Sequence, residues 1–347
     1  MTVSGASIKG NIKTLFPGYF AMVMATGIIA TASAQQDLQW LADALFAVAA
    51  VAYLVLAVLL IARLVIARQA LFTDITSHAK GFAFLTTVAA TNVLGASAAI
   101  VHDRWDVAWA MWWFSLVLWV VFVYATLFAV VLKSPKPGLE KGINGTWFLL
   151  TVSTESIVVS GALLLPRHHS EVLAFGLLAG FLLGLVLYLI VMTMVFLRWT
   201  FMELSPTEAD PPAWIAAGAL AITVLAGSNL LLARGTSVRI DRLAPFLESV
   251  VVLAWATASF WFPLMMAIGV WRHLINRVPL RYHPSYWAMA FPLGMYGAST
   301  FRMRAAIELE PLGWLPQATL VFALTAWSVL FAGLGAQAVQ ALRRPAA

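Results

Sequence analysis

Apolar stretches long enough to cross a lipid bilayer recur along the whole chain, separated by short polar loops. A membrane-spanning helix needs about 20 predominantly apolar residues, and ten segments of this chain meet that length. The pattern predicts an all-α integral membrane protein with a single transmembrane domain over residues 1–347. The expected spans are 15–33, 40–65, 81–101, 106–132, 143–165, 170–197, 212–233, 247–274, 282–303 and 312–340.

Polar residues within these spans are concentrated in every second one. Odd-numbered spans contain Gly, Ser, Thr, Asn and Pro, whereas even-numbered spans such as 106–132 consist almost entirely of large apolar residues. Because lipid offers no hydrogen-bond partners, polar groups and interrupted helix turns must face protein or a water-filled cavity. We therefore expect the odd-numbered helices to lie inside the bundle and the even-numbered helices to surround them.

The odd-numbered spans begin 66, 62, 69 and 70 residues apart, which suggests five copies of one helical hairpin. Five inner helices related by near-fivefold repetition can enclose an axial path. The alternative is that the small residues only allow neighbouring helices to pack closely. A short polar triplet recurs late in each odd-numbered span: ATG at 25–27, ATN at 90–92, STE at 153–155, GSN at 227–229 and AST at 298–300. The triplets supply the pore-lining candidates Thr26, Gly27, Thr91, Asn92, Thr154, Glu155, Ser228, Asn229, Ser299 and Thr300.

The ninth span contains the segment YWAMAFPLGMYGAST at 286–300, with a proline near its middle. Pro292 removes one helical hydrogen bond and its ring clashes with the preceding turn, so we expect a kink here, eased by Gly294 and Gly297. Phe291 lies at this kink, and a phenyl ring at a narrow point closes a wet path by dewetting it. The alternative is that Phe291 packs against a neighbouring helix.

Glu155 is the acidic residue nearest the centre of an inner helix. An ionised carboxylate at that depth costs at least about 2.5–3.5 kcal/mol, so it needs water, a partner or a proton. One interpretation is a protonation switch that couples proton flux to an anion. The other is a structural hydrogen bond to hydroxyl groups on adjacent inner helices.

Composition and charge support the membrane class: 62% of the residues are hydrophobic and 10% are charged. The net charge of +6 comes from basic residues in short loops, which favours topology determinants over a nucleic-acid partner. About two thirds of the 21 Lys and Arg residues fall on the side of the N-terminus, which predicts that both termini are cytoplasmic. The expected location is the plasma (inner) membrane. Residues 32–34 mimic a signal-peptidase site, but Pro17 and Gly18 open this stretch, and we interpret it as a retained span.

Arginines cluster at the expected outer ends of the spans. Arg302 and Arg304 end the ninth span, and Arg234, Arg239 and Arg242 lie in another outer loop. Positive mouths concentrate anions. The alternative for each arginine is interfacial snorkelling, in which the side chain only reaches the headgroup region.

The chain lacks the residues that an intramembrane enzyme or a haem carrier would need. All six histidines fall in loops or at span edges, away from the depth at which a haem iron would take an axial ligand. No zinc-binding HExxH and no phosphate-binding GxxxxGK[ST] motif is present, and the absence of cysteine excludes disulfides and thiolate metal sites. We expect no enzymatic activity, no cofactor and no metal, with an intramembrane enzyme as a remote alternative.

Three segments carry a family resemblance: FPGYFAMVMATGIIATAS at 16–33, NGTWFLLTVSTES at 144–156 and YWAMAFPLGMYGAST at 286–300. They resemble the tellurite-resistance/C4-dicarboxylate transporter family, which is related to the plant guard-cell slow anion channels, yeast malate permeases and sulfite exporters. The resemblance covers essentially the whole chain. It implies ten helices as five hairpins with quasi-fivefold symmetry around a central pore, one pore per subunit, and a homotrimer. It also implies that Phe291 plugs the pore and that the pore is largely uncharged, so Glu155 is a departure.

The expected function is membrane transport of small monovalent anions or C4-dicarboxylates such as malate through a central pore gated by Phe291. The expected partners are small inorganic or organic anions and membrane lipid. The alternatives are a proton-coupled dicarboxylate carrier, in which Glu155 binds the proton, and a sulfite or tellurite exporter.

Overall fold

The structure is a computed structural model that describes residues 10, 12–208 and 211–343, the side chain of Leu342 excepted. The described residues form helices and contain no β-strand. Ten long α-helices follow one another along the described part of the chain. They are α1 Ala21–Ala34, α2 Gln39–Ile66, α3 Thr86–His102, α4 Trp105–Leu132, α5 Leu149–His168, α6 Glu171–Phe201, α7 Ile215–Leu232, α8 Val238–Val270, α9 Trp287–Ala306 and α10 Leu315–Arg343.

Most of these helices meet the requirements for crossing a membrane. Nine helical segments of the described chain are long and apolar enough to do so. The exception among the ten is α9, which carries Pro292, three glycine or serine positions and two arginines and is therefore less apolar. In α8 the helix begins at Val238, well before the predicted span at 247, because an amphipathic turn with Arg239 and Asp241 extends the apolar segment.

Every odd-numbered helix is entered through a short 3-10 helix. A 3-10 turn winds more tightly than an α-turn and commonly precedes an α-helix. Proline opens three of the five turns, where its fixed φ and missing N–H suit the start of a helix. The five turns are Pro17–Phe20, Gly81–Leu85, Gly145–Phe148, Pro211–Trp214 and Pro284–Tyr286. This recurrence agrees with the repeated hairpin that the span spacing suggests.

The odd-numbered helices form a closed ring. Helix α1 packs against α3, α3 against α5, α5 against α7 and α7 against α9, and α9 packs back against α1. Within the apolar windows of α1, α3, α5 and α7, 89–94% of the residues are buried, compared with 17–33% for the even-numbered helices. The inner position that the polar residues predict for the odd-numbered helices is therefore confirmed. We call these the inner helices and the even-numbered ones the outer helices.

Candidate functional site: an axial tunnel

Two small cavities lie along the axis of the ring, and all five inner helices line each of them. The N-end cavity lies near the N-terminal ends of the inner helices, and the C-end cavity lies near their C-terminal ends. The N-end cavity has a volume of about 20 Å³, and the C-end cavity has a volume of about 30 Å³. Each volume holds about one or two water molecules, so the axial path is closed to anions in this conformation.

The N-end cavity has an apolar surface. One residue from each inner helix contributes to it: Met24, Thr86, Leu149, Ile215 and Phe291. The Thr86 hydroxyl donates to the Ala83 carbonyl at 2.7 Å, which turns its polar atom toward the backbone. An apolar constriction of this kind disfavours water and with it a hydrated ion.

The two cavities are separated by one helical turn on two of the inner helices. Met24 lines the N-end cavity and Ile28 the C-end cavity, and the same holds for Phe291 and Met295. Four residues of α-helix span about 6 Å along the axis. Phe291 is 1% exposed, so its ring is enclosed where the two cavities approach each other.

Helix α9 continues through Pro292 from Trp287 to Ala306. Pro292 points toward α7, because a Cβ on Gly218 would lie 2.7 Å from the proline Cγ. The helix is thus continuous at Pro292 and packs its proline against a glycine, while the kink stays a prediction. Phe291, the residue before it, lines the N-end cavity.

The C-end cavity has a mainly apolar surface that also includes polar groups. One polar residue from each inner helix contributes to it: Thr31, Asn92, Ser156, Asn229 and Arg302. Gln35 lines it as well, and its side-chain oxygen has no hydrogen-bond partner within the described part of the chain. Polar groups at membrane depth are stable where they line a cavity or bond to protein, and this cavity offers both.

Arg302 brings a positive charge to this cavity. Its Nε donates to Asn229 Oδ1 at 2.9 Å, and no carboxylate of the described residues lies within ion-pair distance of it. Three of the four other outer-end arginines named above pair with carboxylates: Arg304 pairs with Glu310 at 2.9 Å, and Arg234 pairs with Glu248. Arg239 pairs with Glu171 at 2.5 Å. Arg302 therefore keeps a charge that an anion in the tunnel could neutralise.

Polar side chains also join the inner helices to one another. Ser97 Oγ of α3 donates to the Gly27 carbonyl of α1 at 2.9 Å. Ser160 Oγ of α5 donates to the Asn92 carbonyl of α3 at 3.1 Å, and Asn229 Nδ2 of α7 donates to the Val159 carbonyl of α5 at 3.3 Å. The Arg302–Asn229 bond continues the series from α7 to α9. Much of the polarity in the inner helices thus holds the ring together.

Four predicted pore-lining threonines face the outer helices instead of the tunnel. Each donates its hydroxyl proton to the carbonyl four residues earlier and is bonded by an aromatic side chain of an outer helix. The pairs are Thr26 with Trp327 at 2.9 Å, Thr91 with Tyr53 at 2.8 Å, Thr154 with Trp119 at 2.9 Å and Thr300 with Trp255 at 3.1 Å. Indole and phenol donors need a partner in lipid, and these threonines supply it.

The predicted glycines pack against neighbouring helices. A Cβ on Gly27 would lie 2.8 Å from Val93 of α3, and one on Gly294 would lie 2.9 Å from Ile29 of α1. Gly297 faces Thr319 of α10 at 2.5 Å by the same measure. The contacts of these three glycines favour the alternative in which small residues allow neighbouring helices to pack closely.

Ser228 and Ser299 are fully buried and line neither cavity. Ser299 Oγ donates to the Tyr296 carbonyl at 3.1 Å. The Ser228 hydroxyl has no hydrogen-bond partner in the described residues. Of the triplet residues, Asn92 and Asn229 reach the tunnel.

Glu155 lies inside the wall of the ring. Its side chain is fully buried and reaches α6 where Gly184 leaves space for the carboxyl group. The nearby Thr223 hydroxyl of α7 donates to the Ala219 carbonyl at 2.8 Å, and neither carboxyl oxygen has a well-formed hydrogen bond within the described residues. Glu155 is absent from the lining of both cavities.

The position of Arg302 in the tunnel was detectable from helical spacing. Residues four and eleven positions apart share one face of an α-helix, because each residue turns the helix by about 100°. Phe291, Met295 and Arg302 have this spacing, and all three line the axial cavities. The same reasoning applies to Thr31 and Gln35, which lie one helical turn apart and both line the C-end cavity. The triplets did not indicate these two residues.

Comparisons with known proteins place the chain among membrane transport proteins. The model of a family described as voltage-dependent anion channel matches residues 14–334. An uncharacterized membrane protein of Mycobacterium tuberculosis is 33% identical over 148 residues, which cover 43% of this chain and 75% of that protein. An uncharacterized transporter of Methanocaldococcus jannaschii is 28% identical over 305 residues, 83% of each chain.

A third relative has a named activity. A sulfite efflux pump of Arthroderma otae is 23% identical over 312 residues, which cover 84% of this chain and 82% of that protein. The family and the relatives named for an activity are channels and transporters rather than enzymes. The family match extends across all five inner helices and both cavities. The chain therefore belongs to the voltage-dependent anion channel family.

Proposed function

We propose that this protein conducts small anions across the membrane along the axis of the inner ring, with Phe291 as the gate. The observation that carries the proposal is the tunnel charge: Arg302 lines the C-end cavity with no carboxylate partner among the described residues. A fixed positive charge in a partly desolvated path attracts anions and repels cations. Family membership supports the same class of cargo.

The gate proposal rests on the apolar N-end cavity. Phe291 is enclosed there one turn from Met295, and the space around it holds only about one water molecule. Moving the phenyl ring would widen the path without breaking a backbone hydrogen bond. The continuous helix α9 then serves as a rigid support for the ring.

The cargo we propose is a small monovalent anion or a C4-dicarboxylate such as malate, and the name of the Arthroderma otae relative adds sulfite to the candidates. Purified protein in liposomes tests the proposal through fluxes of chloride, nitrate, sulfite, malate and succinate, with and without a proton gradient. We expect at least one anion flux to exceed that of protein-free liposomes, and no potassium flux. Cation flux alone, or no flux of any anion in the panel, would contradict the proposal.

A second candidate is a proton-coupled dicarboxylate carrier, favoured by the fully buried carboxyl group of Glu155, which has no well-formed hydrogen bond among the described residues. An ionised carboxylate there is costly, so the group favours a bound proton. The adjacent Ser156 lines the C-end cavity, and the Glu155 carboxyl group lies beside Gly184 of α6.

For this carrier we expect Glu155→Gln to abolish pH-driven malate uptake while the protein remains folded, because the amide cannot release a proton. Uptake into liposomes under an imposed pH gradient measures it. Glu171→Gln is the matched control, since that carboxylate pairs with Arg239 at the outer end of α6. If uptake by the Glu155 variant keeps its pH dependence, proton coupling through this residue is wrong and the structural role remains.

We also propose a location in the plasma (inner) membrane, with the N-end face and both termini in the cytoplasm. Basic residues support this orientation: Arg63 and Arg198 lie in the last turns of outer helices on the N-end face. Lys9 and Arg344, which contribute to the predicted bias, lie outside the described residues. The homotrimer is a proposal that rests on the family resemblance, and each subunit would contain a complete ring.

A further inference from the structure

A deep groove lies on the outside of the bundle between the outer helices α8 and α10. Its floor is the inner helix α9, which contributes Met289, Leu293 and Tyr296. Its volume, measured as for the axial cavities, is about 650 Å³. The groove is therefore more than twentyfold larger than either cavity and opens toward the lipid phase.

The walls of the groove are apolar and partly exposed. Met266 of α8 is 58% exposed, and Phe322 and Val329 of α10 are 62% and 58% exposed. Side chains of this kind, facing outward from a membrane helix, favour contact with hydrocarbon chains. The volume of the groove is larger than one protein side chain would fill.

One end of the groove carries a positive charge. Arg281 lines it at the N-end face, next to Tyr282, and no lining residue is acidic. Arg281 belongs to the connecting segment 271–283, which contains three arginines and two histidines and no acidic residue. A basic group beside an apolar groove at the membrane surface matches the two parts of an anionic phospholipid.

The length of the groove fits one lipid leaflet. Along α10 it extends from Thr319 to Gly333, and 14 residues of α-helix span about 21 Å. The hydrocarbon core of a bilayer is about 30 Å thick, so one leaflet contributes about half of that depth. An acyl chain of a lipid whose phosphate lies at Arg281 has room to run the full depth of its leaflet.

From these observations we propose that the groove binds an anionic phospholipid of the leaflet on the N-end side, with its phosphate at Arg281 and one acyl chain against α9. This site goes beyond the proposed transport function. A helix of a second copy is a poorer occupant, because the last turns of α6 and α10 on this face carry Arg198 and Arg343. Such a turn would bring a second positive charge toward Arg281.

The bound chain would lie behind the proposed gate. Met289 and Leu293 are each two residues from Phe291, and two residues turn an α-helix by about 200°. The groove and the tunnel therefore contact opposite faces of α9. At the deep end, the Tyr296 hydroxyl bonds to Ser259 Oγ at 2.6 Å, which leaves this part of the groove without a free polar donor to the chain.

Lipid binding to the purified full-length protein tests the site directly, without a transport assay. Native mass spectrometry in detergent compares phosphatidylglycerol with phosphatidylcholine of the same acyl chains. We expect about fivefold more bound phosphatidylglycerol, which corresponds to one basic residue near an anionic headgroup. The preference should be lost in Arg281→Gln and kept in Arg68→Gln, an exposed arginine of the same face that lies over the Phe72 ring.

A second variant tests the binding of the acyl chain separately from the charge of Arg281. Val329→Trp places a large side chain in the groove from an exposed wall position and should lower the binding of both lipids. Equal binding of both lipids to the unmodified protein would overturn the proposal. So would equal losses in the Arg281 and Arg68 variants, or dissociation of an oligomer by Val329→Trp with lipid binding unchanged, which would identify a second copy as the occupant.

Discussion

Replacing Phe291 by alanine is expected to raise anion current through the reconstituted protein by about tenfold or more, equivalent to a barrier lowered by about 1.4 kcal/mol. The ring is 1% exposed and fills the apolar constriction where the two axial cavities approach each other. Its removal joins them into one longer space, and a wider apolar passage is wetted more readily. Planar-bilayer recordings in symmetrical chloride and nitrate measure the effect.

The matched control is Phe181→Ala. Phe181 of α6 is also fully buried, but it packs against Gly227 of α7 and lines neither cavity. Truncating a buried phenylalanine costs about 3–5 kcal/mol of stability, so this variant reports the effect of a loosened bundle. If Phe291 is the gate, Phe291→Ala increases the current and Phe181→Ala does not. Similar currents in both variants, or an unchanged current after Phe291→Ala, would remove Phe291 as the gate.

Replacing Arg302 by glutamine is expected to reduce anion flux by about tenfold or more. A unit charge about 4 Å from an anion contributes up to about 4 kcal/mol at an effective dielectric constant of about 20, and glutamine provides none of it. Arg302 has no carboxylate partner among the described residues, so its charge is available to the cargo. Flux of radiolabelled or fluorescently reported anions into liposomes measures the loss.

Arg304→Gln provides the matched control two residues away. The Arg304 guanidinium is paired with Glu310 at 2.9 Å and lines neither cavity, so flux should remain near that of the unmodified protein. Arg302→Lys should retain most of the flux, because it keeps the charge while losing the planar donor geometry. If Arg302→Gln and Arg304→Gln lower flux equally, the arginines act as a general surface potential and the tunnel site is wrong.

The alternation of polar and apolar spans predicted the layers of the fold for a direct physical reason. A helix surrounded by lipid cannot satisfy polar side chains, so residues such as Asn92 and Asn229 had to face protein or a cavity. Both line the C-end cavity. The even spans, rich in large apolar residues, form the outer helices with exposed surfaces.

Polarity alone could not distinguish the two sides of an inner helix. Thr26 and Thr31 are both polar residues of α1, yet Thr26 bonds to Trp327 of an outer helix and Thr31 lines the C-end cavity. Both hydroxyl groups have partners, because Trp327 donates to Thr26 and Ser97 Oγ lies 2.9 Å from Thr31 Oγ1. The choice depends on which helix packs beside that face.

Glu155 shows the same limit for a charged residue. Its depth follows from its place in the fifth span, but its direction depends on the gap that Gly184 leaves on α6. A larger residue at that glycine would occupy the space of the carboxyl group. The sequence therefore located an unusual acid without revealing that it points into the wall.

By itself, the sequence determined the membrane class and the alternation of inner and outer helices, because hydrophobicity acts locally along the chain. Only the tertiary structure decided which polar groups face the axis, and that Arg304 has a carboxylate partner whereas Arg302 has none among the described residues. Those outcomes depend on how helices distant in sequence rotate and pack against one another. A one-dimensional pattern fixes the depth of a side chain in the membrane, whereas the neighbouring helices fix its direction.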